Sequence, residues 1–174
     1  LSEETVAWMK TQLEEAKKQG VTVIPVSHHN LLDESTLYPE ECTIENTKEV
    51  TALLEAYGVP VYLSGHLHLQ RIKKHTSNLN TPGGYGIREI VTSPLPMAPC
   101  QYSILNWQAD GSLSYHTKKV DIAGWAQRYG EEDENLLNFD AYADQFLVDV
   151  ISEQAFKALQ SASKDIKEEM ARLY

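Results

Sequence analysis

Two apolar segments that each run into histidine constrain this chain more than any other feature of its sequence. Residues 21–26 lead into Ser27-His28-His29-Asn30, and residues 59–63 lead into Ser64-Gly65-His66-Leu67-His68. Both segments are rich in β-branched and other apolar residues, which favour strands. Side chains two positions apart on an extended chain lie on the same face, so we expect His66 and His68 to point into one site.

The sequence between the two segments predicts a helix. Asn46 with Glu49 is typical of a capping box, and Gly58 is a stop signal; the apolar stripe between them is Val50, Leu53, Leu54 and Tyr57. A strand, a helix and a second strand form a right-handed crossover with parallel strands. Adjacent strands lie about 4.8 Å apart, and parallel sheets bind ligands outside the carboxyl edge. We therefore expect His28 or His29 to meet His66 and His68 there.

Of the two adjacent histidines, we expect only one to point inward, because neighbouring residues of an extended chain face opposite ways. His28 leaves the strand first, and we take it as the candidate. Three imidazoles, from His28, His66 and His68, form a donor set that suits zinc, manganese or iron. The sequence thus predicts a metal site at this edge.

The remaining sequence predicts a mixed α/β fold. A helix begins at Ser2 and ends at Gly20, strands are expected at residues 69–76 and 87–92, and Asp110-Gly111 predicts the turn of a β-hairpin. Residues 30–45 form a long polar connection, which is typical of a rim or lid over a site. The tail is helical from Asp121 onward, so we divide the chain into domains 1–120 and 121–174.

Composition narrows the function classes. A net charge of −10 on 174 residues argues against a general nucleic-acid binder, although metal ions could supply the positive charge that a small phosphorylated substrate needs. No apolar run approaches the roughly 18–20 residues that span a bilayer. Cys42 and Cys100 form no close motif, so we expect free thiols and infer no compartment. The start at Leu1 favours a fragment or a processed product.

The two histidine blocks resemble the last two signature blocks of the calcineurin-like metallophosphoesterases, a single His and Gly-His-x-His. Here these correspond to His28 and to Gly65-His66-Leu67-His68. The other blocks of the family, Asp-x-His, Gly-Asp-x-x-Asp and Gly-Asn-His-Asp/Glu, do not occur in this sequence. The resemblance covers residues 1–120. It implies half of a four-layer α/β/β/α sandwich, a mixed sheet with helices on one face, followed by a helical C-terminal extension.

The resemblance also implies a function. His28 and His66 would bind one metal ion and His68 a second, and the complete protein would hold two ions of Mn, Fe or Zn. The parent enzyme would hydrolyse phosphate mono- or diesters. This segment would supply three ligands and no catalytic residue, and it would be inactive without the missing N-terminal half as its partner. The exposed sheet edge of such a half-domain favours self-association.

Two other interpretations remain open. One is a self-sufficient mononuclear zinc hydrolase or hydratase with three histidine ligands, in which Glu34, Glu40 or Glu41 acts as the base. The other is a non-catalytic assembly module, in which the apolar stripes at residues 139–150 and 156–173 dock a partner. Metal stoichiometry and the mass of the chain in solution distinguish them.

Overall fold

The strands and helices of the first part of the chain follow the predicted order. The computed structural model describes residues 1–32, 42–75 and 86–161. Its internal contacts divide the chain into two units, Leu1–Pro94 and Leu95–Tyr174. The division at residue 120 that the sequence suggested stays a prediction. Unit 1 contains α1 (Glu3–Gln19), α2 (Thr47–Ala56), β1 (Val61–Ser64), β2 (Arg71–Lys74) and β3 (Arg88–Val91).

Both helices of unit 1 end where the sequence indicates. The Ser2 hydroxyl accepts a hydrogen bond from the Thr5 amide at 3.2 Å, and Gly20 closes α1 with a φ of 67°, which glycine adopts without strain. Asn46 precedes α2 without accepting a hydrogen bond from a helix amide; its side-chain amide donates to Glu49 at 3.0 Å instead. This bond joins two side chains, whereas the bonds of a capping box run between side chains and backbone amides, so the predicted capping box is replaced by a different contact.

The sheet of unit 1 is small and mixed. Its order is β1-β3-β2, with β1 parallel and β2 antiparallel to β3. The apolar sides of the helices and the sheet form one core, since a helix with an apolar stripe is stable only when that stripe is covered. The buried core residues are Leu13, Leu31, Leu32, Val50, Leu54, Val59, Tyr62 and Ile87.

The first predicted strand is only partly formed. Val26 makes a single parallel bridge to Leu63, flanked by hydrogen bonds of 3.0 Å from the Ser27 amide to Leu63 O and from the Leu63 amide to Pro25 O. The next bond of a parallel ladder would need an N–H on Pro25, which proline lacks. The pairing therefore stops there, and Val26 is 74% exposed. The parallel placement beside β1 is nevertheless the one the sequence predicts.

A buried carboxylate joins the elements of unit 1. Glu89 on β3 is 0% exposed and accepts hydrogen bonds from the amides of Leu31 and Leu32, both at 2.7 Å. It also accepts from the Ser64 hydroxyl at 2.6 Å and from the Asn30 side chain at 3.2 Å. Such a carboxylate is stable in a protein interior only when its oxygens are satisfied.

Lys73 on β2 neutralises this carboxylate. Its ammonium lies 3.1 Å from Glu89 Oε2, and the lysine side chain is also buried. The ammonium donates a second hydrogen bond to the carbonyl of Leu32. One cluster of polar contacts thus fixes β1, β2, β3 and the segment at residues 30–32.

Unit 2 contains the predicted hairpin followed by helices. The elements are β4 (Gln101–Trp107), β5 (Leu113–Lys119), α3 (Ile122–Tyr129), α4 (Glu134–Leu137) and α5 (Phe139–Ser161). The β4 and β5 strands pair antiparallel around the predicted turn, in which Gly111 has a φ of 81° and Asp110 accepts from the Ser112 amide at 2.8 Å. Lys119 pairs with Asp140 at 2.9 Å and so links β5 to α5.

The tail is helical within the described residues, as predicted. The α5 helix runs without a break through Ser152 and so carries the first apolar stripe and the start of the second. Tyr142 and Phe146, members of the predicted apolar stripe, are largely exposed within unit 2. Residues of the final predicted stripe beyond 161 lie outside the described residues.

The fold is a mixed α/β arrangement of small sheets and helices with a helical C-terminal part, as predicted at that level. The four-layer sandwich implied by the resemblance is not confirmed. Within the described ranges, no helix combines the length and the apolar character that crossing a membrane requires.

Replacing Glu89 tests whether its buried carboxylate holds unit 1 together. We expect Glu89→Gln to lower the free energy of unfolding by about 3–5 kcal/mol, because it leaves Lys73 buried without its counter-charge. Lys73→Met should cost less, since Glu89 keeps its other donors. Urea unfolding measures both, with the exposed Glu45→Gln as the matched control. Equal midpoints for Glu89→Gln and the control would contradict the assignment.

Candidate metal centre

His28 and His66 lie side by side, as the parallel placement of their segments predicts. The Gly65 amide donates to the carbonyl of His28 at 3.1 Å, which brings the two backbone segments together just beyond the bridge at Val26. The imidazole Nε2 of His28 is 3.0 Å from Nδ1 of His66. One of these nitrogens must carry the proton for a hydrogen bond to form, and neither needs to when both bind a cation.

His29 joins the same cluster. Its ring centroid lies 5.4 Å from that of His28 and 4.7 Å from that of His66, and the His28 and His66 centroids are 4.9 Å apart. On an extended chain, His29 would point to the side opposite His28, as the sequence predicts. The backbone bends at His28 and His29, so the alternation of strand side chains does not apply there.

His68 is placed differently from the expectation. His66 and His68 have φ angles of 65° and 54°, in the left-handed region, and the segment that carries them is bent rather than extended. The rule that residues two apart share a strand face therefore does not govern them. His68 is exposed and acts on His66 electrostatically. Its role as a ligand stays a prediction, as do those of His28 and His66.

The left-handed backbone at His66 and His68 is a source of local strain. Residues other than glycine seldom adopt this region, and they do so mainly where the surrounding structure imposes it. Gly65, by contrast, is not required by space, since an added Cβ would meet its nearest neighbours at 3.9 Å, an ordinary contact. The positive φ angles of the turn after β1 fall on His66 and His68.

Two hydroxyl groups hold the bend that carries His28 and His29. The Tyr62 hydroxyl donates to Ser27 Oγ at 2.7 Å, and the Ser27 hydroxyl donates to the carbonyl of His29. Tyr62 is itself a buried core residue on β1. Burial raises the pKa of its hydroxyl and is the largest cause of that shift. The tyrosine therefore stays protonated and remains a donor at neutral pH.

The electrostatics of the cluster favour a neutral His66. Burial is the first cause that lowers the pKa of the His66 imidazole, followed by the positive charges that His29, His28 and His68 carry when protonated. A neutral imidazole has a lone pair available for a metal ion. Crowding imidazoles in one place therefore prepares the central histidine for coordination, because it opposes the competing proton.

The spacing of two histidine nitrogens suits a metal ion, but a full set of ligands is not arranged around them within the described residues. Two nitrogens bound to one tetrahedral zinc ion at about 2.0–2.1 Å stand roughly 3.3 Å apart. The separation of 3.0 Å between His28 Nε2 and His66 Nδ1 is close to this value. Within residues 1–32, 42–75 and 86–161, however, no group of three or more His, Cys, Asp or Glu residues is arranged to hold a metal ion.

Sequence analysis missed the residues that support the cluster. Asn30 is buried, and its side-chain amide donates to Ser64 Oγ at 2.8 Å, which ties the turn after His29 to the end of β1. A charged residue beside the apolar Ile87, Ile90 and Val91, namely Glu89, was the signal that could have identified this network. The candidate bases Glu34, Glu40 and Glu41 lie outside the described residues.

Comparison with known proteins found a family match for the C-terminal part of the chain. A protein-family model described as the C-terminal domain of cyclic nucleotide phosphodiesterase matches residues 121–174. A search of curated proteins gave no match. The match relates the helical C-terminal part to a phosphodiesterase, which belongs to the hydrolases.

The resemblance to calcineurin-like metallophosphoesterases was therefore wrong, because the family that matches is a different one. The match lies in unit 2, whereas His28 and the Gly65-His66-Leu67-His68 block lie in unit 1. A four-residue block with one open position carries little information about family, and the strand context added to it recurs in many α/β folds.

A titration of the metal-free chain tests the geometry of the cluster. We expect the His66 pKa to lie below the ordinary 6.5, and His29→Gln to raise it by removing the first of the electrostatic causes. Because the folded chain opposes protonation of His66, the free energy of unfolding should fall as the pH decreases below about 6.5. NMR titration of the imidazole signals measures the pKa. His116→Gln, in β5, is the control, and a His66 pKa unaffected by His29→Gln would refute the placement.

Proposed function

We propose that this chain forms part of a metal-dependent hydrolase that acts on phosphodiesters of the cyclic nucleotide class, with His28 and His66 as metal ligands. The observation that carries the proposal is the 3.0 Å approach of His28 Nε2 to His66 Nδ1. The family match at residues 121–174 supports the substrate class, since that family is named for cyclic nucleotide phosphodiesterase.

The charge of the chain explains why a metal ion is needed. A net charge of −10 repels an anionic phosphodiester, and His66 at the centre of the histidine cluster resists protonation because its pKa is lowered. A bound divalent ion polarises phosphoryl oxygens, neutralises the charge that develops on them and lowers the pKa of a water molecule.

The residues of this chain orient the site. His28 Nε2 and His66 Nδ1 lie 3.0 Å apart, and the Ser27 and Tyr62 hydroxyls fix the bend from which His28 projects. His29, beside both rings, supplies a third imidazole that can bind the ion or donate a hydrogen bond to a phosphate oxygen. No general acid is assigned among these residues.

Two versions of the site differ in their third histidine. In the dinuclear version, His28 and His66 bind one ion and His68 binds a second, with Mn, Fe or Zn as the metals. In the mononuclear version, His28, His29 and His66 bind a single ion; their three ring centroids lie within 5.4 Å of one another, and the rings would have to turn to direct three nitrogens at one ion. The mononuclear version makes the site a three-histidine hydrolase centre.

Metal binding to matched histidine variants tests the ligand set. We expect Mn²⁺ or Zn²⁺ to bind the chain, and His28→Gln and His66→Gln each to weaken binding by about tenfold or more, since each removes one coordinate bond. Calorimetry gives affinity and stoichiometry, and His116→Gln is the control histidine variant.

The third-ligand variants then separate the two versions. A stoichiometry of one ion with a loss on His29→Gln supports the mononuclear site, whereas two ions with a loss on His68→Gln support the dinuclear site. Binding that His28→Gln and His66→Gln leave unchanged would overturn the proposal.

Binding of a phosphodiester tests the substrate class. We expect 3′,5′-cyclic AMP to bind the Mn²⁺-loaded chain and not the chain treated with a chelator, because the ion provides the positive charge that the phosphodiester requires. His28→Gln should abolish this metal-dependent binding, and His116→Gln should not. Equilibrium dialysis measures it, and cyclic AMP binding that is indifferent to both metal and His28 would refute the phosphodiester assignment.

A further inference from the structure

Unit 1 contains a second concave site, separate from the histidines. A cavity of about 660 Å³ lies between α2 and β2, and His28, His29, His66 and His68 are not among the residues that line it. Small-molecule sites in proteins typically enclose about 300–1,000 Å³. The cavity therefore has room for a ligand the size of a sugar phosphate or a nucleotide.

The lining of this cavity is basic in a chain that is acidic overall. Among the described residues, Lys48 on α2 and Arg71, Lys73 and Lys74 on β2 line it, together with the acidic Glu55. Glu89 already neutralises Lys73, so we assign the positive character to Lys48 and Lys74. A cluster of one sign in a concave surface concentrates ions of the opposite sign. The cavity thus favours an anion, although the whole chain repels anions.

Glu55 provides the second observation. Its side chain is 10% exposed, and among the described residues its buried Oε1 has no hydrogen-bond donor within reach. The His75 ring lies 3.8 Å away, beyond hydrogen-bond distance. A buried acceptor without a donor destabilises a structure, so a ligand that brings a hydroxyl to this oxygen gains a hydrogen bond that the protein alone does not make.

We propose that this cavity binds a phosphate monoester that carries a hydroxyl group near its phosphate. The Lys48 and Lys74 ammonium groups bind the phosphate, and Glu55 Oε1 accepts a hydrogen bond from the ligand hydroxyl. Ribose phosphates, nucleoside monophosphates and glycerol phosphate share this chemistry. The site stands independently of the proposed hydrolase function, because it uses none of the histidines in the candidate metal centre.

Calorimetry of the metal-free chain tests the site with a graded set of probes. We expect AMP, ribose 5-phosphate and glycerol 3-phosphate to bind more tightly than inorganic phosphate, and adenosine not to bind. Tighter binding of AMP identifies a nucleotide as the ligand, whereas equal binding of all three esters identifies a phosphate monoester with a nearby hydroxyl as the shared recognised group. Absence of binding by every phosphate would overturn the proposal.

Three variants assign the contacts. Lys48→Ala and Lys74→Ala should each weaken ester binding by about tenfold, since each removes a charged hydrogen bond. Glu55→Gln should weaken binding of the hydroxyl-bearing esters and leave inorganic phosphate as tight or tighter. The exposed Lys10→Ala on α1 is the control. Equal losses for Lys10→Ala and Lys48→Ala would overturn the proposal as non-specific attraction.

The histidine variants separate this site from the proposed metal centre. His28→Gln and His66→Gln should bind AMP in the absence of metal as the parent chain does. Loss of AMP binding in those variants would place the phosphate at the histidines and overturn the second site. Failure of metal binding, in contrast, would refute the proposed function and leave the AMP result unaffected.

Discussion

The burial of Glu89 is the constraint on which unit 1 depends. A carboxylate removed from water is tolerated only when every oxygen is matched by donors, and here the donors come from three separate stretches of chain. Two backbone amides of residues 31–32, the Ser64 hydroxyl on β1, the Asn30 amide and Lys73 on β2 all converge on it. No one of these stretches can move without exposing an unsatisfied charge. The network therefore fixes their relative positions more strictly than apolar contact would.

The hydrogen bonds to Glu89 also fix the positions of the histidines. Asn30 follows His29 directly, and Ser64 lies two residues before His66, so the two segments that carry the imidazoles are both tied to Glu89. The bond from Asn30 to Ser64 joins them to each other. Tyr62 and Ser27 add a second connection on the His29 side. The imidazoles repel one another when protonated. The hydrogen bonds that hold them close together come from groups outside the candidate metal site.

The sequence predicted the parts of this arrangement that follow from periodicity and turn chemistry. The crossover that brings His28 to His66, the end of α1 at Gly20 and the hairpin at Asp110-Gly111 all depend on local patterns.

Three features did not follow from such patterns. The strand rule failed at His66 and His68, where the backbone is left-handed, and at His29, where it bends. The Glu89 network joins residues up to 59 positions apart, which no local pattern reveals. The family resemblance was drawn from too short a motif.

The missing N–H of Pro25 has a mechanical consequence. Upstream of it, residues 21–24 share no regular strand pairing with β1, whereas downstream the chain is held by Ser27, His28 and Asn30. Val23 in this stretch packs against the core that also contains Leu13 of α1. Side-chain packing therefore positions the chain before Pro25, whereas hydrogen bonds to neighbouring segments position the chain after it.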